Sequence, residues 1–128
     1  MIEIGNFQAW VARAEEDYIV ARTVLRRKKP LTYSGCFHAQ QCAEKYLKAI
    51  LVAKNQNFSK THDLLLLISL CEQAGVIIPI DPRRLNTLSD YSIRVRYPGE
   101  DPTPTEAKEA VDISQEVRRF VKKILPSI

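Results

Sequence analysis

The two histidines, His38 and His62, are the side chains of this 128-residue chain best suited to move a proton or bind a metal near neutral pH. Cys42 follows His38 by four positions, so the two side chains would share one face of a helix. A structural zinc site needs four ligands, and this pair supplies two. We therefore interpret His38 as a partly buried imidazole beside a buried thiol, expect no metal, and expect His62 to hydrogen-bond locally.

A second group of residues combines arginines with tyrosines between positions 83 and 97. Its members are Arg83, Arg84, Tyr91, Arg94, Arg96 and Tyr97. Guanidinium groups beside aromatic rings can bind phosphate and stack on bases. The same arginines could instead form ion pairs with the acids of the following loop and the last helix. The chemistry alone leaves both interpretations open.

Two further basic clusters lie at 26–29 and 118–123. Both are expected in the last turns of helices, where the helix dipole favours cations. The dipole and solubility explain these clusters without a binding partner.

Composition excludes several classes of protein. The four glycines are widely separated, so no glycine-rich phosphate loop or dinucleotide fingerprint can form. A net charge of +4 permits contact with nucleic acid and does not require it. The three cysteines form no close pair, which is typical of free thiols in a reducing cytoplasm. No secretory leader is visible, and no apolar run approaches the roughly 20 residues that a membrane-spanning helix needs.

The elements that must position these residues are predicted to be helical, because apolar residues recur at helical spacing along almost the whole chain. A first helix is expected from Phe7, with Asn6 as its N-cap, and Pro30 ends it after the 26–29 stretch. A second helix is expected from about Thr32 to about Lys54. Within it, Glu44 and Lys48 stand four apart, the spacing of a surface ion pair.

Three more helices are expected: one capped by Thr61 and stopped by Gly75, one from Pro82 to Arg94 or Arg96, and one capped by Thr103 with Glu106 in a capping box. The apolar stretch 76–80 is expected as an extended connector, because a lone strand would have no partner. The sequence therefore predicts a single domain (1–128), all-α, as an up-and-down antiparallel bundle of about five helices.

Four segments, in order, resemble motifs of the HEPN (higher eukaryotes and prokaryotes nucleotide-binding) family. They are WVARAEEDYIVA at 10–21, FHAQQCAEKYLKAILVAK at 37–54, THDL at 61–64 and YSIRVRYP at 91–98. The resemblance spans nearly the whole chain. It implies a bundle of about five helices that usually forms a homodimer.

Many members of that family are metal-independent ribonucleases whose active site is an arginine followed, after four to six residues, by a histidine. For His38 the arginine would have to stand at 31–33, and for His62 at 55–57, and neither stretch contains one. No histidine follows Arg94 or Arg96. The motif is therefore missing, and we expect a protein that is not itself catalytic.

Other members resemble this chain in its Arg–Tyr–Pro segment and are encoded beside a minimal nucleotidyltransferase, as a two-component enzyme or a toxin–antitoxin module. The resemblance thus implies a nucleotide-binding bundle that needs no cofactor, with ATP as one candidate nucleotide and RNA as a further candidate ligand. The residues assigned to nucleotide contact are Arg94, Arg96, Tyr97, His38, Lys45 and Lys48. Two alternatives stay open: a ribonuclease that uses Arg94 and His38, and a purely structural dimerisation subunit.

Overall fold

The computed structural model describes residues 6–93 and 97–125, which form five α-helices and no strand. The helices are α1 (Phe7–Leu25), α2 (Thr32–Ala53), α3 (Leu64–Gln73), α4 (Pro82–Ile93) and α5 (Pro104–Ile124). The predicted all-α class and the number of helices are confirmed. Within the described ranges, none of these helices is long and apolar enough to cross a membrane.

Helix α2 is the centre of the bundle, because it contacts each of the other four helices. Small residues let α1 approach it closely: Ala14 and Ala21 of α1 and Ala39 and Ala43 of α2 are all fully buried. Tyr46 and Leu47 of α2 are also fully buried. A central helix covered on several sides is apolar around most of its circumference, so any polar residue there must find a partner.

The local signals at the helix ends behave as their chemistry predicts. Asn6 accepts a hydrogen bond from the backbone N–H of Ala9 at the start of α1. Thr103 and Glu106 form the expected capping box at the start of α5. Gly75 follows α3 with a φ of 91°, the left-handed conformation that glycine adopts most readily after a helix.

Two details of the sequence prediction are wrong. Helix α1 ends at Leu25, so residues 26–29 lie in the connection to α2 rather than in the last turn. The N-cap of α3 is Asp63, whose side chain accepts from the backbone N–H of Leu65, and Thr61 instead accepts from the N–H of Asp63.

The remaining expectations for the connections agree with the structure. Residues 76–79 form an extended connector, and alternate residues Val76, Ile78 and Ile80 are buried while Ile77 is exposed. Asp81 accepts a hydrogen bond from the backbone N–H of Arg83, as expected before a proline at the first helical position. The predicted end of α4 at Arg94 or Arg96 falls outside the described residues.

Glu15 joins the first helix to the last. Its carboxylate accepts hydrogen bonds from Arg118 Nε at 2.8 Å and from Tyr46, and it pairs with Lys122 Nζ at 2.9 Å. Burial by itself raises the pKa of Glu15, but the hydrogen bonds from Arg118, Tyr46 and Lys122 outweigh burial and lower that pKa from 4.5 to about 2. The ionised carboxylate therefore stabilises the folded state.

Substituting Glu15→Gln should lower the free energy of unfolding at pH 7 by about 1–2 kcal/mol, since the arginine and lysine lose their counter-charge. The folded-state pKa lies below the unfolded one, so this contribution is complete above about pH 4.5 and is lost as the pH falls towards 2. Urea denaturation of both proteins between pH 7 and pH 2.5 measures the difference. A gap that stays constant over this range would contradict the assignment.

Candidate functional site

Two of the predicted contact residues, His38 and Lys45, meet on the side of α2 that faces α1. His38 Nδ1 lies 2.8 Å from Asp17 Oδ1, and Lys45 Nζ lies 2.5 Å from Asp17 Oδ2. The residues stand two helical turns apart on α2, so they share one face, and Asp17 of α1 spans the gap between them. One carboxylate therefore organises both side chains.

Asp17 fixes the chemical state of His38. An ionised carboxylate can only accept hydrogen bonds, so Nδ1 of His38 carries the proton and donates it. The side chain of Asp17 is 11% exposed and that of His38 is 31% exposed. The second ring nitrogen, Nε2, has no hydrogen-bond partner within residues 6–93 and 97–125. A histidine held in this way can accept a proton at Nε2, and the imidazolium so formed can donate a hydrogen bond to an anion there.

A small pocket of about 220 Å³ opens beside this trio. Arg13, Glu16 and Val20 of α1 complete its lining together with Asp17, His38 and Lys45. Arg13 is exposed, and its guanidinium forms no ion pair with the described part of the chain. The pocket thus places the guanidinium of Arg13, a lysine and an imidazole around one small volume, together with the carboxylates of Glu16 and Asp17.

Lys48 is separate from this pocket. Its ammonium lies 3.0 Å from Glu44 Oε2, and both side chains are buried, at 8% and 3% exposed. The ammonium also lies 5.7 Å from the ring centre of Trp10 and 5.8 Å from that of Phe58, within the range of cation–π attraction. The pair predicted for the surface of α2 is therefore buried, because α1 and the loop after α2 cover it.

His62 belongs to the same buried group rather than to a local hydrogen bond. Its Nδ1 lies 2.8 Å from Glu44 Oε1, while its own ring is 62% exposed. Gln40 Nε2 donates to the backbone oxygen of His62 at 3.0 Å and, at 3.3 Å, to Glu44 Oε1. The local hydrogen bond predicted for His62 is wrong, since Glu44 of α2 holds the loop that precedes α3.

For two of its four arginines, the structure tests whether the arginine cluster of residues 83–97 forms ion pairs or is left to bind phosphate. Arg84 binds Glu116 at 2.6 Å and Glu109 at 3.1 Å on α5, and Arg83 binds Asp81. Arg84 thus forms ion pairs with the last helix, as the second interpretation predicted, whereas Arg83 pairs with an acid that precedes α4. Arg94 and Arg96 lie outside the described residues.

Tyr97 is described, and its side chain is well placed for a ligand. The residue is 68% exposed. Its backbone N–H donates to Glu100 Oε1 at 3.0 Å, which fixes the main chain of the turn. The phenol ring is therefore presented to solvent.

Cys42 is fully buried, and burial, with a smaller effect of Asp17 and Glu15, raises the pKa of its thiol far above the ordinary value. His38 turns its Nδ1 to Asp17 instead of to this thiol, in agreement with the interpretation of an imidazole beside a buried cysteine. No group of three or more histidine, cysteine or acidic side chains among the described residues is arranged to hold a metal ion.

The residues that the sequence analysis missed are the acids at the centre of each cluster, Asp17 and Glu44. A signal for Asp17 was available, because it stands between Ala14 and Ala21 on the inward face of α1. An acid at a core position needs a cation or several hydrogen-bond donors. The partners could not be chosen from the sequence, since they lie on another helix.

These features define a small all-α bundle with a buried polar network around its central helix. The model of the HEPN domain family matches residues 7–124, so the chain belongs to this family. Among solved structures, it is similar to that of ST0689, an archaeal HEPN homologue, with 21% sequence identity and a TM-score of 0.68 over 96% of this chain and 98% of that chain. At this identity the likeness shows the shared fold alone. No curated protein matches the chain.

Substituting Glu44→Gln should lower the free energy of unfolding by about 3 kcal/mol, because the buried ammonium of Lys48 loses its counter-charge. The double variant Glu44→Gln, Lys48→Met should recover at least half of this loss, since methionine can fill the space between Trp10 and Phe58 without a charge. Urea denaturation of the wild type, both single variants and the double variant gives the coupling energy. Additive losses would show that the two side chains do not act as a pair.

Proposed function

We propose that this HEPN domain binds a nucleotide, with the pocket between α1 and α2 receiving a phosphate group. The observation that carries the proposal is the meeting of His38 and Lys45, assigned separately to nucleotide contact, on one buried carboxylate beside the free guanidinium of Arg13. One of the three N–H donors of the Lys45 ammonium binds Asp17, and the other two can bind a ligand. Arg13 can offer a bidentate pair to phosphate oxygens.

The size of the pocket limits what it can hold. A volume of about 220 Å³ suits a phosphate group, so the sugar and base must lie outside. The exposed ring of Tyr97 supports a stacking role for this residue, and Arg94 and Arg96 would supply further guanidinium groups. The proposal does not need a direct contact from Lys48, whose ammonium is occupied by Glu44; that contact stays a prediction from the sequence.

In this proposal the bundle acts as a homodimer with a separately encoded minimal nucleotidyltransferase, as a two-component enzyme or a toxin–antitoxin pair. The missing arginine–histidine motif supports a binding role rather than catalysis. The scarcity of glycine agrees with this binding mode. Without a glycine-rich backbone loop, phosphates must be bound by side chains on helices.

Isothermal titration calorimetry with ATP, GTP, CTP and UTP tests the proposal. We expect Lys45→Ala, Arg13→Ala and Arg96→Ala each to weaken the binding of the preferred nucleotide about tenfold, the loss typical of one charge-assisted hydrogen bond. Arg83→Ala is the matched control, because Arg83 is highly exposed and pairs only with nearby Asp81 within the described residues. It should leave the affinity within about twofold.

The absence of binding by any nucleotide, also when the product of the neighbouring gene is present, would reject the proposal. A dimer whose stability does not respond to nucleotide, together with that absence, would favour the structural subunit.

A second candidate function, metal-independent cleavage of RNA, is favoured by one observation. Asp17 orients His38 so that Nε2 is free to take a proton from a ribose 2′-hydroxyl, as in general base catalysis. Arg94 would then stabilise the charge on the phosphate.

Incubating the purified protein with RNA in EDTA separates this candidate from simple binding. If His38 is the base, cleavage should fall at least 100-fold in His38→Ala and in Arg94→Ala. Asp17→Asn should alter the pH profile of the rate, because the amide no longer holds the imidazole in one orientation. Cleavage that is equal in the wild type and His38→Ala would reject the candidate.

A further inference from the structure

The connection between α1 and α2 presents four consecutive cations to solvent. Arg26, Arg27, Lys28 and Lys29, here called the basic turn, are all exposed. Their side chains form no ion pair or hydrogen bond with any residue in 6–93 or 97–125. Since α1 ends at Leu25, the helix dipole explains at most Arg26, which caps the helix. The charges of the other three have no counterpart within the described chain.

The backbone of the basic turn is fixed at both ends. The N–H of Arg26 donates to the carbonyl oxygens of Arg22 and Thr23, both at 3.2 Å. The N–H of Leu31 donates back to Val24 O at 3.1 Å and so closes the turn. A ligand that binds here therefore finds the backbone of the turn already held at both ends, and less backbone entropy is lost on binding.

A groove of about 440 Å³ adjoins the basic turn, between the end of α1 and the start of α5. Arg22 and Arg26 line one side. On the other side, the only acid of the lining, Asp112, is paired with Lys108 at 3.2 Å. The surface is therefore cationic across the turn and into the groove.

We propose that the basic turn binds the phosphodiester backbone of a single-stranded nucleic acid. A row of unpaired arginines and lysines matches a row of phosphates, and binding releases the counterions of both. A membrane surface fits less well, because basic segments that bind membranes are joined to a large apolar face or a lipid. Between residues 26 and 31 the only large apolar side chain is Leu31, which is 42% exposed.

This inference does not rest on the proposed nucleotide site. The pocket lies towards the middle of α1 and α2, the two helices that the basic turn connects. Asp17 stands eight residues before the end of α1 and His38 six after the start of α2, which corresponds to about 9–12 Å along the helix axes. A strand held by the basic turn could therefore extend past the pocket between α1 and α2.

Fluorescence anisotropy with labelled 20-nucleotide oligouridine and oligodeoxythymidine, from 50 to 300 mM salt, tests the proposal. In the variant Arg26→Gln, Arg27→Gln, Lys28→Gln, Lys29→Gln, the slope of log affinity against log salt should fall in magnitude by about 3, since each phosphate contact on a single strand contributes about 0.7. The affinity at 50 mM salt should fall at least 30-fold.

The control variant removes the same charge from exposed sites elsewhere: Lys54→Gln, Lys60→Gln, Arg119→Gln, Lys123→Gln. It should keep the affinity within about threefold. Circular dichroism should show that both variants are folded. Loss of binding in Lys45→Ala calorimetry leaves this result unaffected, so the two proposals fail separately.

Three outcomes would overturn the proposal. The first is an equal loss of oligonucleotide affinity in the two quadruple variants, which would indicate an effect of net charge alone. The second is no binding of either oligonucleotide by the wild type at 50 mM salt. The third is binding to vesicles of anionic lipid without binding to oligonucleotides. Tighter binding of oligouridine than of oligodeoxythymidine would support the proposal and assign RNA as the ligand, because the two backbones differ at the 2′-hydroxyl.

Discussion

The burial of two carboxylates, Asp17 and Glu44, constrains the rest of this structure. Asp17 of α1 packs against the central helix α2, and Glu44 belongs to α2. A buried carboxylate is stable only when cations and hydrogen-bond donors surround it. Each is matched by one lysine and one histidine: Lys45 and His38 for Asp17, Lys48 and His62 for Glu44. The requirement to satisfy these acids fixes the position of α1 and of the loop before α3 relative to α2.

The two groups nevertheless differ in what they leave free. Around Glu44 the lysine is enclosed by two aromatic rings, so the group mainly joins the loop to α2. Around Asp17 the lysine is partly exposed, and a pocket containing Arg13 lies next to it. The same pairing of residue types therefore stabilises the fold around Glu44 and provides a candidate binding site around Asp17.

Much of the fold could be predicted from the sequence because its signals are local. The cap at Asn6, the capping box at Thr103 and the apolar spacing along α2 each depend on residues within one or two turns. The errors arose where a longer-range contact decides. Glu44 and Lys48 have the spacing of a surface pair, and only the covering loop makes them buried.

The candidate site, too, could be predicted from the sequence only in part. His38 and Lys45 could be proposed from the family resemblance, but their meeting at Asp17 depends on how α1 packs on α2. Arg13 carries no sequence signal of its own, because a single exposed arginine on a helix is typical of any soluble protein.

The central claim is that Asp17 makes His38 and Lys45 into one anion-binding unit. Nitrogen-15 NMR of the imidazole rings during a titration with ATP tests it most directly, with His62, which pairs with Glu44, as an internal reference. The account predicts that the Nε2 resonance of His38 shifts on ATP addition, that the resonances of His62 do not, and that Asp17→Asn abolishes the shift. A shift at His62 with none at His38, or a shift at His38 that survives in Asp17→Asn, would contradict the account.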